Sequence, residues 1–289
     1  MKKAQWITLG IGCVLIGTIF IFGKTVQKNK PLSVETHSAD DGHDHGDATT
    51  NTISIDSILL QAKKQLSIQQ VNRLSFLENS ITRGDVKDQQ LKVYHQLSHF
   101  WGDSIRYFPP YAWYEAEAAR LENSEKTLTF AAHLFLEYLQ QEPDAAMRRW
   151  CGLQAKDLFE RSLKINPAND SARVGLGASY LFGNISPAPM EGLTHIRSVI
   201  EKDSTNSYAR MTLIKGQLMS GQFDKAISNL TSLHRIQPDN LDPILLLAEV
   251  YERNGDKKNA ADWYQKSLPL IKRKDVSAEV EKRINELRK

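Results

Sequence analysis

The chain has 289 residues, a length that fits one large domain or two small ones. Charged residues make up 25% of the chain and hydrophobic residues 41%, the proportions of an ordinary soluble protein. The net charge of +3 is too small to indicate a nucleic-acid-binding protein, and no cluster of Lys and Arg is interleaved with aromatic residues.

Residues 1–29 are predicted to form a short tail and a transmembrane anchor. Residues 6–22 are apolar apart from two threonines, and lysines lie on both sides of them. As a helix, residues 4–23 would span about 30 Å, the thickness of a bilayer's hydrocarbon core. A cleaved signal peptide and lipidation at Cys13 are the alternatives. We favour the uncleaved anchor because no A-x-A cleavage site follows the apolar run.

Residues 30–51 predict a disordered linker, because they are rich in Asp, Gly, Ser and Thr and contain almost no apolar residue. The same stretch brings imidazoles and carboxylates together, which are suitable ligands for Zn²⁺, Ni²⁺ or Cu²⁺. The candidate metal ligands are His37, His43, His45 and Asp44. A solvated linker is the simpler interpretation, since a metal site without a scaffold would be weak and poorly selective.

Residues 52–123 are expected to form N-terminal helices that include a divergent repeat. Apolar residues over 53–77 recur at helical spacing, and Ser54 is a candidate N-cap. Two further helices are predicted over residues 85–102 and about 110–121. No run alternates with a period of two for long, so strands are not expected.

No residue pattern in the chain indicates an enzyme. His95 and His99 have the spacing of the H-E-x-x-H metalloprotease motif, but Gln96 stands where that motif needs its catalytic Glu. Ordinary packing on a helix explains the pair. The G-x-S-x-G and G-x-x-x-x-G-K-[ST] motifs are both absent. The chain is therefore predicted to be non-catalytic and to use no cofactor.

A self-similarity runs through the second half of the chain. Small residues recur at intervals of 37, 34 and 34, at Ala155, Gly192, Ala226 and Ala260. The same offsets relate the asparagines Asn169, Asn206 and Asn240. A period of 34 is that of a helix–turn–helix repeat, which cannot bury its apolar face alone and stacks on its neighbours.

The register predicts five consecutive units. They are a divergent repeat with an insertion over 124–169, three regular repeats over 170–206, 207–240 and 241–274, and a capping helix within 275–289. The capping helix is predicted over residues 276–288, with Val280, Ile284 and Leu287 on one face and many charges elsewhere. A solenoid covers its open end in this way.

Three motifs in these units carry a family resemblance. Leu176-Gly177-x-x-Tyr180 fits an L-G-x-x-Y pattern in a first helix, A. An A-x-x-x-F-x-x-A stripe in a second helix, B, is fitted by Ala226-x-x-x-Leu230-x-x-Leu233 and begins again at Ala260. Gly221 and Gly255 fall at the A–B turn, where a left-handed residue is expected. The sequence thereby resembles the tetratricopeptide repeat, which implies an all-α, right-handed solenoid of helical hairpins behind the N-terminal transmembrane helix.

The sequence departs from the pattern of that family in two places. The 37-residue interval contains three extra residues within 184–189, which should lengthen one A–B turn. The family's helix A tryptophan is replaced by Arg173, Arg210 and Ile244.

The resemblance also implies a binding groove, because helix A of this family lines the concave face. The residues that the family register points inward are Phe182, Tyr208, Met211, Lys215, Leu218, Met219, Leu245, Glu249, Glu252 and Arg253. The middle of this surface is apolar and rich in Met, which suits an adaptable site for a helix or an extended peptide. The paired asparagines of the family's carboxylate clamp are missing, which argues against a chaperone C-terminus as the ligand.

The function predicted from the sequence is a membrane-tethered scaffold or assembly factor that binds a protein or peptide. Its layout is similar to bacterial inner-membrane proteins whose repeats face the periplasm, and to the anchored repeat modules of cytochrome c maturation accessories. Nearly balanced lysines leave the orientation open. The alternative function is metal handling by the His/Asp-rich linker, with the repeats as a docking platform.

Overall fold

A computed structural model describes residues 53–83, 86–185 and 190–289. They belong to one compact unit, Thr50–Lys289. The predicted transmembrane anchor and His/Asp-rich linker lie outside these residues. Among the helices that are described, none is both long and apolar enough to cross a membrane.

The described residues contain 13 α-helices and no strand, so the predicted all-α class is confirmed for this part of the chain. In chain order the helices are α1 Ile55–Lys63, α2 Ile68–Arg83, α3 Lys87–His99, α4 Phe108–Glu122, α5 Glu125–Leu139, α6 Ala145–Ile165, α7 Asp170–Phe182, α8 Met190–Lys202, α9 Ser207–Met219, α10 Phe223–Ile236, α11 Leu241–Arg253, α12 Lys257–Ser267 and α13 Lys274–Leu287. A π-helical turn, Phe100–Ile105, follows α3, and a 3₁₀ turn, Leu268–Leu270, follows α12.

The helices from α3 to α12 pack as five successive hairpins, and each hairpin packs on the next. The pairs are α3–α4, α5–α6, α7–α8, α9–α10 and α11–α12. The last helix, α13, packs on α12 and buries Ile284 and Leu287 against Ala260 and Ala261. This arrangement is a solenoid of helical hairpins with an amphipathic helix over its C-terminal end, as the sequence predicts.

Helix starts and turns follow the repeated residues. The side-chain oxygens of Asn169, Asn206 and Asn240 cap α7, α9 and α11 by accepting backbone N–H groups at 2.9, 2.9 and 3.1 Å. Gly221 and Gly255 have φ angles of +72° and +83°. Both turns therefore need the left-handed backbone that glycine adopts without steric cost, as predicted.

Small residues let the two helices of a hairpin approach closely. In the α7–α8 hairpin, a Cβ added at Gly177 would lie only 2.6 Å from the carbonyl oxygen of Gly192. In α10 and α12, Ala226 and Ala260 are fully buried at 0% exposure. These positions are the recurring small residues of the sequence, so the 34-residue period marks where helices cross.

Two segments depart from a simple repeat. Helix α6 begins ten residues before Ala155, because the carboxylate of Asp144 caps it by accepting the Met147 N–H at 2.7 Å. The predicted helix over 85–102 is α-helical only to His99 and continues as the π turn. That turn ends at Arg106, whose φ of +59° is left-handed. The predicted lengthening of the turn within 184–189 falls largely on residues 186–189, outside those that the structure describes.

We expect Ala226→Glu to destabilise the solenoid by several kcal/mol, because the new carboxylate would be buried without a partner where α10 crosses its neighbours. Thermal unfolding followed by circular dichroism measures the effect. Ser228→Glu adds the same charge at an exposed position of α10 and should leave the melting temperature nearly unchanged. Equal melting of the two variants would show that the helix register assigned to α10 is wrong.

Candidate functional site

The first helices of three successive hairpins converge on one side of the solenoid. Helices α5 and α9 touch through side chains, although α7 lies between them in the order of hairpins. The His133 and Tyr208 rings have centroids 5.7 Å apart, and Lys215 Nζ donates to Gln140 Oε1 at 3.1 Å. The stack therefore curves, and the faces of α5, α7, α9 and α11 that look toward this side form a concave surface, here called the inner surface.

A cavity of about 420 Å³ opens where the C-terminal ends of α5, α7 and α9 meet the first turn of α6. It is called the α9 cavity, and it is lined by Leu139, Gln140, Arg148, Phe182, Lys215, Leu218 and Met219. Phe182 and Leu139 are buried and form its floor, whereas Met219 is 67% exposed at its rim. Four of the predicted groove residues are thus brought together in one site.

Two cationic side chains, Arg148 and Lys215, line the α9 cavity, and each has N–H donors that make no hydrogen bond within the described residues. Arg148 donates from Nε and Nη2 to the carbonyl oxygens of Glu142 and Pro143, and its Nη1 makes no hydrogen bond within the described residues. Lys215 gives one of its three protons to the Gln140 amide. Among the described residues, no Asp or Glu lines the cavity. It therefore offers apolar surface and unneutralised positive charge.

An aromatic cluster lies next to this cavity on the inner surface. His133 packs edge-on against Phe159 with centroids 5.1 Å apart, and its Nε2 lies 3.2 Å from Ser171 Oγ. Burial lowers the pKa of His133, and the nearby negative charge of Glu137 opposes that change. Tyr208 completes the cluster and is 36% exposed.

A second cavity, of about 470 Å³, lies between α11 and the C-terminal helix and is called the α13 cavity. Its residues on α11 are Leu245 and Glu249, both predicted from the sequence. Partial burial in this cleft, and then the charge of Glu252, raise the pKa of Glu249. The lining from α12 and α13 is Tyr264, Val276, Glu279, Val280, Lys282, Arg283 and Glu286.

The remaining predicted groove residues make contacts with other side chains of the fold. Glu252 is ion-paired with Arg283 of α13 and accepts from Tyr264 Oη at 3.2 Å. Arg253 lies over the Phe223 ring, 5.7 Å from its centroid. Met211 packs against the core shared by α9, α10 and α11. Because these three side chains contact their neighbours, each offers less surface to a ligand than the family register implies.

The candidate metal ligands His37, His43, His45 and Asp44 lie outside the described residues. Within the described ranges, no group of three His, Cys, Asp or Glu side chains could hold a metal ion. His99 instead faces Asp103 on the π turn, with Nδ1 2.8 Å from Oδ2.

Sequence reasoning missed the partners that α5 and α6 bring to the inner surface. Gln140 and Arg148 lie in the divergent hairpin, whose register does not match the 34-residue period. His133 is a similar case, because its contact with Tyr208 joins residues of hairpins that are not adjacent. The helical spacing of four residues could have predicted this face of α5. Phe130, His133, Glu137 and Gln140 lie on one side of the helix and its C-cap, away from the buried side.

Comparison with known families identifies the C-terminal hairpins. Residues 217–275, from the end of α9 to the start of α13, match the family model described as Tetratricopeptide repeat. Over these residues the chain is similar to tetratricopeptide repeats. The match agrees with the hairpins observed there and with the resemblance seen in the sequence.

Solved structures of similar architecture come from several sources. MamA from Desulfovibrio magneticus RS-1, residues 41 to the end, is 21% identical, with 65% of this chain and 96% of that chain covered and a TM-score of 0.42. A tetratricopeptide repeat protein from Parabacteroides merdae is 13% identical, with 79% and 98% covered and a TM-score of 0.45. YrrB, described as having an unusual peptide-binding site, is 15% identical, with 71% and 97% covered and a TM-score of 0.41. Comparison with curated protein sequences finds no match.

The pKa of His133 predicts an acid-sensitive inner surface. Because burial lowers this pKa below the unfolded value of about 6.5, the unfolded chain binds more protons over the interval between the two values. Stability should therefore be full above about pH 6.5 and fall as the pH drops below it. We expect the melting temperature of His133→Gln to fall less than that of the wild type when the pH is lowered from 7.5 to 5.5.

His195, whose pKa is also lowered by burial, is present in both proteins and cancels in this comparison. Equal losses of melting temperature would mean that His133 is not responsible for the pH dependence.

Proposed function

We propose that this chain is a non-catalytic scaffold that binds a protein segment, as a helix or an extended peptide, on its inner surface. The observation that carries the proposal is the α9 cavity, which unites the apolar side chains Phe182, Leu218 and Met219 from two hairpins. Solenoids of tetratricopeptide repeats present such concave surfaces to other chains. The apolar floor supplies binding free energy through burial, and the flexible Met219 adapts its shape to the ligand.

The dimensions of the surface favour a chain segment over a small molecule. The inner surface passes from α5 across α7 and α9 to α11 and then α13. Packed helices lie about 8–10 Å apart, so five such helices extend over about 32–40 Å. A segment of this length reaches both cavities, whereas a small ligand would fill one of them.

Replacing Leu218 and Met219 together by Ala should weaken partner binding about tenfold or more, because truncating an anchor in a desolvated groove costs about 1 kcal/mol or more for each residue. The partner is first identified by photo-crosslinking from position 219 in native membranes, and its affinity for purified wild type and variant is then measured.

The matched control is the double variant Ile165→Ala with Ile236→Ala. It removes two partly exposed apolar side chains from the ends of α6 and α10, which line neither cavity. Its affinity for the partner should stay at the wild-type value. If the Leu218/Met219 variant binds as well as this control, the inner surface at α9 is not the binding site.

We also propose that the scaffold is tethered to the bacterial inner membrane by the apolar run of residues 4–23, with its repeats in the periplasm. The length of the run and its flanking lysines support the proposal. Protease added to spheroplasts should digest the helical repeats, while the residues of the anchor stay with the membrane. If the repeats are protected until the spheroplasts are lysed, they lie in the cytoplasm. If the mature chain begins after Gly23, residues 4–23 are a cleaved signal peptide and not an anchor.

A further inference from the structure

We infer that the segment bound on the inner surface is dipolar, with an acidic residue seated in the α9 cavity and a basic residue in the α13 cavity. The inference rests on the proposed function, because it assumes that a chain segment lies along the inner surface. The inference adds which charges the segment carries and in which cavity each one binds. Lys215 recognises the acidic residue and Glu249 the basic one.

The α9 cavity selects a carboxylate. Within the described residues, Arg148 Nη1 and two of the three Lys215 protons make no hydrogen bond, and the hydrogen bonds that these two side chains do make go to uncharged oxygens. A carboxylate here would accept hydrogen bonds from both cations, and a bond between two ions is stronger than the bond from Lys215 to the uncharged Gln140 amide. The apolar floor formed by Leu139 and Phe182 would take a neighbouring aliphatic side chain of the ligand.

The α13 cavity selects a cation. Glu249 accepts no hydrogen bond within the described residues, and it faces the cleft between α11 and α13. Of the two cations in the described lining, Arg283 is already bound by Glu252 and Glu286, the latter at 2.9 Å. Glu279 adds a further negative charge to that lining, and the other cation is Lys282. With Glu252 counted, the site carries four carboxylates against two cations.

The spacing of the two cavities sets the spacing of the charges. Helix α11 lies between α9 and α13, and steps of about 8–10 Å from one helix to the next would put α9 and α13 about 16–20 Å apart. This distance corresponds to about 11–13 residues of an α-helical ligand, or to about 5–6 residues of an extended one. A segment with its acidic and basic residues at such a separation would satisfy Lys215 and Glu249 together.

Selection from a display library of random 20-residue peptides on the purified full-length chain tests the inference. The selected peptides should be enriched in an acidic and a basic residue at one of these separations. Lys215→Glu should weaken the binding of a selected peptide about tenfold or more, because it places like charges together. Changing the acidic residue of that peptide to Lys should restore binding to this variant. Glu249→Lys should show the same pattern with the basic residue.

Lys164→Glu is the control, since Lys164 is exposed on α6 and lines neither cavity. Selected peptides without paired charges, or binding that Lys215→Glu and Glu249→Lys leave unchanged while Leu218→Ala weakens it, would overturn the dipolar ligand and keep the groove. Binding that survives all three changes, or a library that yields no binder, would overturn the proposed function itself.

Discussion

The close approach of paired helices at small residues is the constraint on which the rest of this structure depends. A hairpin of two helices of 11–14 residues, such as α11–α12 or α9–α10, has too little apolar surface to be stable alone and must bury both faces against neighbours. Contact over the full length of two helices requires small side chains where they cross. Ala226 and Ala260 meet that need, and the Gly177–Gly192 contact leaves no space for even one more methyl group.

The same constraint decides which residues are free to bind. Because the small residues lie where the paired helices cross, the opposite face of the first helix in each hairpin lies on the concave side. Curvature then brings α5 and α9 within hydrogen-bonding distance, as the contact of Lys215 with Gln140 shows. The inner surface is therefore formed by four successive hairpins and continues to α13, and its two cavities differ in charge because different helices line them.

The sequence alone predicts most of the regular part of the fold. Asparagine caps and left-handed glycines at a fixed period locate the helices from α7 to α12, because each of these residues satisfies a local backbone requirement. The family register that the resemblance implies points Phe182, Lys215, Leu218 and Met219 to one face, and these residues line one cavity, while their role in binding stays a prediction. The caps and turns were predictable because each depends on interactions within a hairpin or between adjacent hairpins.

The features that the sequence does not predict depend on longer-range geometry. The approach of Gln140 to Lys215 joins residues 75 positions apart, and it depends on the curvature accumulated over two hairpins. Helix α6 breaks the period by starting at Ala145, which moves Arg148 into the α9 cavity. The left-handed Arg106 carries no compositional signal, because glycine or asparagine is the usual residue in that conformation.

The C-terminal helix links the stability of the solenoid to its binding surface. Since α13 buries two side chains, Ile284 and Leu287, it should open at a lower free energy than the hairpins that it packs against. Its ion pair with Glu252 joins it to α11, and its middle turns supply Val280 and Lys282 to the α13 cavity. If a segment contacts both walls of this cavity, as proposed above, it would bind the arrangement in which α13 lies against α11. Its binding would then stabilise this part of the array, and opening of α13 would release the part of the ligand held there.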